Sequence, residues 1–483
     1  MIFKLILSLT LSFFAVISYS QQMVWASFDK FSGSNTHCNV IGENDKGVLI
    51  LRYKDKSLKR NVYIDFYDHG LRLKNTFAIS ERKKQVDKVL LLKNQLYVIY
   101  HYPNYANRKL FCKALDYETK ENKEELKEWV NIPIENNRLY GYDIIYNHTR
   151  NAGLINYIQA EDENSTLFIQ YFDDALKLEK PVQYTLNFSA KITKVMSRIM
   201  DKNGNYYCIY AAQKGGFFAK DNSIYYLLMY NKKNNEWTNT ELNSQELFIS
   251  SVYLKEDIQN KRVLLSYFYS PNYKNGNYGL TNSAYNSNDQ KRIYEGRQKI
   301  NSEFSRQIAG GKLGKEKELN SFYIKDIVPT SDSGSMIIAE RFFLTDQNET
   351  FYQNGIPVTQ SRNVYNFEEV LVFSNNKYGR IQWNKVLLKR QSSINDGGYF
   401  SSIIVVPAPD RVHFIYNEKL VYNGDVIQYS INQDGQTSQK NLFRTDMASY
   451  MVIPSESRII GYNRAAIPMF LSNGERGLLK IIY

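Results

Sequence analysis

The sequence predicts an all-β fold, a single β-propeller of eight four-stranded blades with seven as the alternative count. Three observations lead there. A module recurs about eight times along the 483 residues. Each copy holds two apolar or aromatic segments split by a short polar turn, followed by a second such pair. Repetition at roughly 40 to 50 residues is what radially packed four-stranded blades produce.

The inner pairs begin at Asn39, Val86, Tyr142, Ile192, Ile249, Phe322, Tyr399 and Thr445. In each, β-branched and aromatic residues flank a turn of Asp, Asn, Gly, Pro or Ser, as an antiparallel hairpin requires. The outer pairs declare themselves by alternation. In "NVYIDFYDHG" Val62, Ile64 and Phe66 share one face, and Tyr63, Asp65 and Tyr67 share the other.

Successive units start 46 to 57 residues apart, except for two steps of 73 and 77, so these two hold insertions. The first spans 287–311, where Ile293, Ile300, Phe304 and Ile308 fall at helical spacing. Ser287 to Asp289 stand as caps, Gly310-Gly311 as a stop, and a basic face carries Lys291, Arg292, Arg297, Lys299 and Arg306. The second, 345–363, is polar and reads as a surface loop. Open sheets leave edge strands that invite aggregation, so the ring must be fastened. Either "MVWASFD" near the N-terminus or the final "LLKIIY" supplies the fastening strand, and the eighth unit is then a composite.

Residues 1–20 read as a cleaved secretory signal peptide: Lys4, an apolar run from Leu5 to Ile17, then Ser18-Tyr19-Ser20. That run is shorter than the roughly 20 residues a spanning helix needs, and no comparable run follows. An exported protein without a transmembrane segment is expected. The abundance of Lys, Asn, Ile and Tyr suggests a bacterium with an AT-rich genome, which makes the destination the periplasm, the cell exterior or the outer-membrane surface. Three cysteines are too few for a disulfide-stapled scaffold. Cys112 and Cys208 sit inside strand patterns, which favours three buried thiols over a Cys38–Cys112 bridge.

The formal net charge is +12. It is dispersed through turns without an Arg/Lys tract or a nucleic-acid motif, so nucleic acid is not the expected partner. An anionic cell-surface polymer or an acidic protein is a better match.

Over Phe322 to Glu418 the motifs "FYIKDIVPTSDSGSMIIAERFF", "EEVLVFSNNKYGRIQWNKVLLKRQ" and "NDGGYFSSIIVV" come in an order that resembles a group of exported β-propeller repeat proteins of Bacteroidota. Thr330 to Ile337 is similar to their strand hairpin, and Gly379 to Trp383 to their outer turn. That group has no established activity, so the resemblance implies fold and compartment only.

Enzymatic signals are sparse. Thr330-Ser-Asp332-Ser-Gly334 matches half of a sialidase Asp box, but Ile337 stands where an aromatic belongs, and any hairpin uses an Asp/Gly turn. Glycoside hydrolysis needs two carboxylates a few ångströms apart, and turn acids such as Asp45, Asp201, Asp332 and Asp396 are candidates. The histidines His37, His69, His101, His148 and His413 occur singly, and no HExxH, P-loop or G-x-S-x-G is present. "DKNGN" from Asp201 lacks the closing Glu of a calcium loop. No cofactor and no catalytic metal are expected.

The sequence therefore points to a non-catalytic exported binding or assembly module at the bacterial envelope. Its partner is an envelope or surface protein or an anionic glycan, docked through Arg297, Lys299 and Arg306. The alternative is a glycosidase-like, carbohydrate-active enzyme with carboxylates in the funnel.

Overall fold

In a computed structural model of the chain, the described residues are 21–26, 37–54, 56–102, 108–119, 125–132, 139–160, 164–189, 193–213, 223–242, 247–271, 276–300, 304, 321–353, 356–420, 424–443, 450–471 and 475–483. The predicted signal segment, 1–20, lies outside them. The strands form eight antiparallel sheets, and these are the eight units expected from the repeat. Blades 1 to 7 are built on four-stranded meanders running from His37 to Ala78, Gln85 to Ile132, Leu139 to Leu186, Thr193 to Glu241, Phe248 to Lys299, Phe322 to Leu387 and Ile404 to Phe443, with Gln391–Ile394 added as a fifth strand in blade 6. First strands of neighbouring blades approach one another, which sets them around the axis. Fourth strands such as Glu236–Glu241 and Thr437–Phe443 are largely exposed and form the rim.

Strand alternation builds the core. Each second strand is buried on both faces, so its odd and even residues serve different neighbours. In Val48–Tyr53, Leu49 and Leu51 pack with Leu96 and Val98 of blade 2. Val48 and Ile50 turn the other way and pack with Ala466 and Leu478 of blade 8. Likewise, in Tyr206–Gln213 of blade 4, Tyr207 and Ile209 join Val263 and Leu265 of blade 5, while Tyr206 and Cys208 join Leu154 and Leu167 of blade 3. Each interface in the ring holds one such cluster.

Three expectations are corrected. The helix predicted over 287–311 is, through Lys299, the fourth strand of blade 5. Arg292–Lys299 pairs with Gly279–Asn286, Ile293 is 52 % exposed, and Ile300 and Phe304 are buried beside Phe322 and Phe373. Residues 301–303 and 305–311 lie outside the described residues. The blade needed this strand, but its partner was hidden because Thr281, Asn282 and Ser283 are buried polar residues. Asn282 is satisfied by Ser266 Oγ (2.8 Å) and by the carbonyl of Gly379 in blade 6 (3.3 Å).

The surface loop predicted over 345–363 is instead part of a hairpin, Ser335–Gln353 with Ile356–Asn375, paired along its length. Thr345, Asp346, Gln347, Asn348, Gln360, Ser361 and Asn363 are polar because they are exposed on regular strand. In the eighth unit, Tyr450–Val452 and Arg458–Gly461 do not form a hairpin with each other. Both pair with Arg464–Leu471, because Pro454 opens a short 3-10 turn that interrupts the inner strand.

Blade 8 is completed by Gln22–Trp25, which pairs with Arg476–Ile482 from Gln22↔Ile482 to Trp25↔Leu479. Two buried carboxylates reinforce this closure. Glu43 of blade 1 receives Lys480 and Arg464 (2.8 Å) of blade 8. Glu456 of blade 8 accepts the Cys38 N–H at 2.9 Å and lies 3.0 Å from His37 Nδ1. Cys38, Cys112 and Cys208 are buried free thiols, and burial pushes Cys38 up to about 12.

Trp25 packs edge-on against Phe443 with ring centroids 5.1 Å apart, so its loss opens the fastening strand. Trp25→Ala is expected to cost about 2 kcal/mol, read as a lower urea midpoint at unchanged slope; no shift would show that the strand does not fasten the ring. A second prediction concerns His413, stacked on Tyr483 at 3.7 Å and bonded through Nδ1 to Ser430 Oγ (2.7 Å). Burial first, then Arg411, lowers its pKa to about 4. The unfolded chain therefore takes up a proton between about pH 6.5 and 4 that the folded chain refuses, and stability falls with acid across that window. Asp201, raised to about 6 mainly by burial, opposes this trend, because it favours the folded state at low pH. Replacing His413 with Gln should flatten the fall in Tm between pH 6.5 and 4. An unchanged slope would refute the assignment.

Candidate functional site in the axial channel

The axis is built from first strands, and those of blades 1 to 6 share a deviation. Each has a register shift against its partner: Val40/Gly42, Val86/Lys88, Leu139/Tyr142, Val195/Ser197, Ile249/Ser251 and Ile324/Asp326. A bulge bends the strand and re-aims side chains. Charged groups near these shifts then link blades around the axis. Asp143 of blade 3 takes Arg198 Nη2 of blade 4 at 2.8 Å and lies 3.4 Å from Lys88 Nζ of blade 2. Lys255 of blade 5 meets Asp326 of blade 6 at 2.8 Å.

Among the described residues, two clefts lie along this axis. One, of about 280 Å³, is walled by the inner strands of blades 2 and 3, with Ile41, Arg198 and Arg458 contributed by blades 1, 4 and 8. Residues from five blades meet there. The other, of about 290 Å³, is a crevice between blades 3 and 4 lined by Gly141, Tyr142, Asn156 and Thr193, and Arg198 borders both.

Arg458 is the distinctive group. Its guanidinium donates to the carbonyls of Ile41 and Val40 and to Nε2 of His148. Burial first, then the Arg458 charge, pushes His148 down to about 4, so at neutral pH the ring accepts at Nε2 and carries its proton on Nδ1. Arg458 is thus positioned by three neutral acceptors, and among the described residues it forms no ion pair with a carboxylate.

The residues proposed from sequence are dispersed. Arg297 and Lys299, two apart on one strand, share a face of blade 5, where they lie over the rings of Tyr269 (5.5 Å) and Tyr278 (4.5 Å). Arg306 lies outside the described residues, and the basic helical face does not form over 287–300. The turn acids are spent locally. Asp332 accepts Gly334 N–H (2.9 Å) and Thr330 Oγ (2.6 Å), and Asp396 accepts Gly398 N–H (2.8 Å). Asp45 holds Asn94 Nδ2 at 3.0 Å. Asp201 accepts the amides of Asn203 and Asn205, each at 2.9 Å. Among the described residues no group of three His, Cys, Asp or Glu converges as metal ligands would.

One buried cluster resembles a nucleophile with its base. Ser402, held at φ +84°, bonds to Glu340 and to Lys325 Nζ (2.9 Å). Glu340 in turn pairs with Lys389 at 2.9 Å, with side chains 4 % and 1 % exposed. Neither cleft reaches these residues, and Gln391 Oε1 takes both the Ser402 N–H and Lys389 Nζ. The arrangement is a clamp between blades 6 and 7.

These features define a class: a closed eight-bladed β-propeller with a charged, cleft-bearing axis. No protein-family model matches the chain, and no curated protein matches its sequence. Among solved structures it is similar to the WD40 domain of SCAP from fission yeast, at 10% identity over 96% of this chain and 98% of that one, with a TM-score of 0.41. It is also similar to the polysaccharide lyase Uly1, at 8% identity over 95% and 98%, with a TM-score of 0.37. A third is prolyl oligopeptidase B from Galerina marginata, at 8% identity over 91% of this chain and 55% of that one, with a TM-score of 0.41. These likenesses carry nothing about ligand or activity.

The clamp makes a testable claim. Lys389→Met strands the Glu340 charge in the interior and should cost roughly 3 kcal/mol, measured by denaturant unfolding. The double variant Lys389→Met/Glu340→Leu should recover most of that loss. A fully stable single variant would mean that the pair does not hold the blades.

Proposed function

We propose that this propeller is an exported, non-catalytic binding or assembly module of the bacterial envelope, with the axial channel as its recognition element. The observation that carries the proposal is the charge pattern of the axial cleft: among the described residues, Lys88, Arg198 and Arg458 face a single carboxylate, Asp143. A cleft with excess positive charge and restricted access attracts anionic ligands. An envelope protein with acidic groups or an anionic glycan fits it. Arg297 and Lys299 add a second basic surface on the rim of blade 5, the docking site for a protein partner.

The carbohydrate-active alternative has one observation in its favour, the proximity of Asp201 to Glu256. Both carboxylates are nevertheless committed to structure. Glu256 accepts Lys202 N–H (2.6 Å) and Asn147 Nδ2 (2.9 Å), while Asp201 is fully buried. Neither lines either of the two axial clefts.

The test is affinity capture by residues 21–483 from an envelope fraction, alongside a glycan array. A stoichiometric, reconstitutable complex or a defined anionic glycan is the expected result. Arg297→Glu with Lys299→Glu and Arg306→Glu should abolish capture of a protein docked on the rim and leave glycan binding intact. Turnover of a glycan, or no binder in either format, would overturn the proposal.

A further inference from the structure

We infer that the axial cleft is a site for one acidic sugar, with Arg458 anchoring its carboxylate and Asp143 accepting from its hydroxyls. The inference rests on the binding function proposed above and names the ligand class of that site.

Charge comes first. Among the described residues Lys88, Arg198 and Arg458 contribute three cations to the cleft, Asp143 is the one acid on its wall, and His148 is neutral. Asp143 is already shared between Arg198 and Lys88, so among the described residues no carboxylate matches the charge of Arg458. A half-buried, unmatched guanidinium beside Ile41, Val89 and Ile145 is unfavourable in the empty protein, and an incoming anion relieves that cost. The group is also preorganised. Two carbonyls of blade 1 and the imidazole of blade 3 fix its plane, and a fixed guanidinium plane suits a carboxylate.

Size and polarity narrow the class. At about 280 Å³ the cleft lies near the lower limit for ligand pockets, enough for a ring-sized group and too small for a folded segment. Asp143 decides between kinds of anion. Its carboxylate repels a second negative charge, which disfavours phosphate and acidic peptide runs, but it accepts hydrogen bonds from hydroxyls. A ring bearing one carboxylate and several hydroxyls satisfies both ends of the cleft.

The experiment is calorimetric titration of residues 21–483 with sodium D-glucuronate, against D-glucose, sodium sulfate and a blocked glutamate peptide. Glucuronate should bind at least about tenfold tighter than any control, and its affinity should fall as salt rises past roughly 0.1 M. Arg458→Gln should weaken it by about tenfold or more, and Lys88→Met, checked for an unchanged Tm, should act in the same direction. Asp143→Asn should tighten sulfate while weakening glucuronate. Glucose binding as well as glucuronate, full glucuronate affinity in both cation variants, or no glucuronate binding by the folded wild type would each overturn the inference. If an anionic glycan from the preceding test binds Arg458→Gln as well as wild type, the acidic-sugar site fails and the binding function stands. Absence of any binder defeats both.

Discussion

Closure of the ring is the constraint on which everything else depends. A blade has two apolar faces, and an unclosed stack would leave one face bare at each end. The last interface is formed by segments far apart in sequence: Lys480 meets Glu43 at a separation of 437 residues, and Glu456 meets Cys38 at 418. Because loop-closure entropy grows only logarithmically, each doubling of loop length costs about 0.6 kcal/mol. Joining the ends is therefore little harder than joining neighbouring blades, and the shared cluster of Ala26, Val40, Val48, Ala466 and Leu478 more than offsets it.

Closure also explains why charge gathers at the axis. The faces of the inner hairpins are consumed by blade-to-blade packing, so side chains near the shifted registers of the first strands are what the chain can offer to the channel. Lys88, Asp143, Arg198, Lys255 and Asp326 occupy such places. Lys88, Asp143 and Arg198 pair across blades 2 to 4 and Lys255 pairs with Asp326 across blades 5 and 6, while blade 8 adds Arg458, which meets no carboxylate among the described residues.

Much of this architecture was legible in the sequence because a blade repeats its own alternation. Seven inner hairpins were visible as such, the eighth was located but its two segments pair with Arg464–Leu471 and not with each other, and blade 5 hid its outer half behind the polar run Thr281 to Ser283 and an accidental helical spacing of Ile293, Ile300 and Phe304. The axial site was not recognised, since its residues come from several blades and none forms a local motif. A signal was nonetheless present. Lys88, Asp143 and Arg198 are separated by 55 residues each, the length of a blade, so superposing the repeats would have placed a cation, an anion and a cation at one structural position. Arg458 carried no such mark, because Pro454 interrupts the repeat that would have aligned it.

The long hairpin of blade 6 has a consequence for how the molecule meets solvent. Its strands, Ser335–Gln353 and Ile356–Asn375, extend for 19 and 20 residues, about 60 Å at the usual rise, while neighbouring strands of eight residues span less than half of that. Beyond Gln391–Ile394, which covers Val364–Phe367, no further described strand pairs with the ribbon's own two, an arrangement of marginal stability in water. Amide exchange should therefore begin at the tip and advance towards Ser335 and Asn375, so that one ladder spans the range from fastest to slowest protons in the ring.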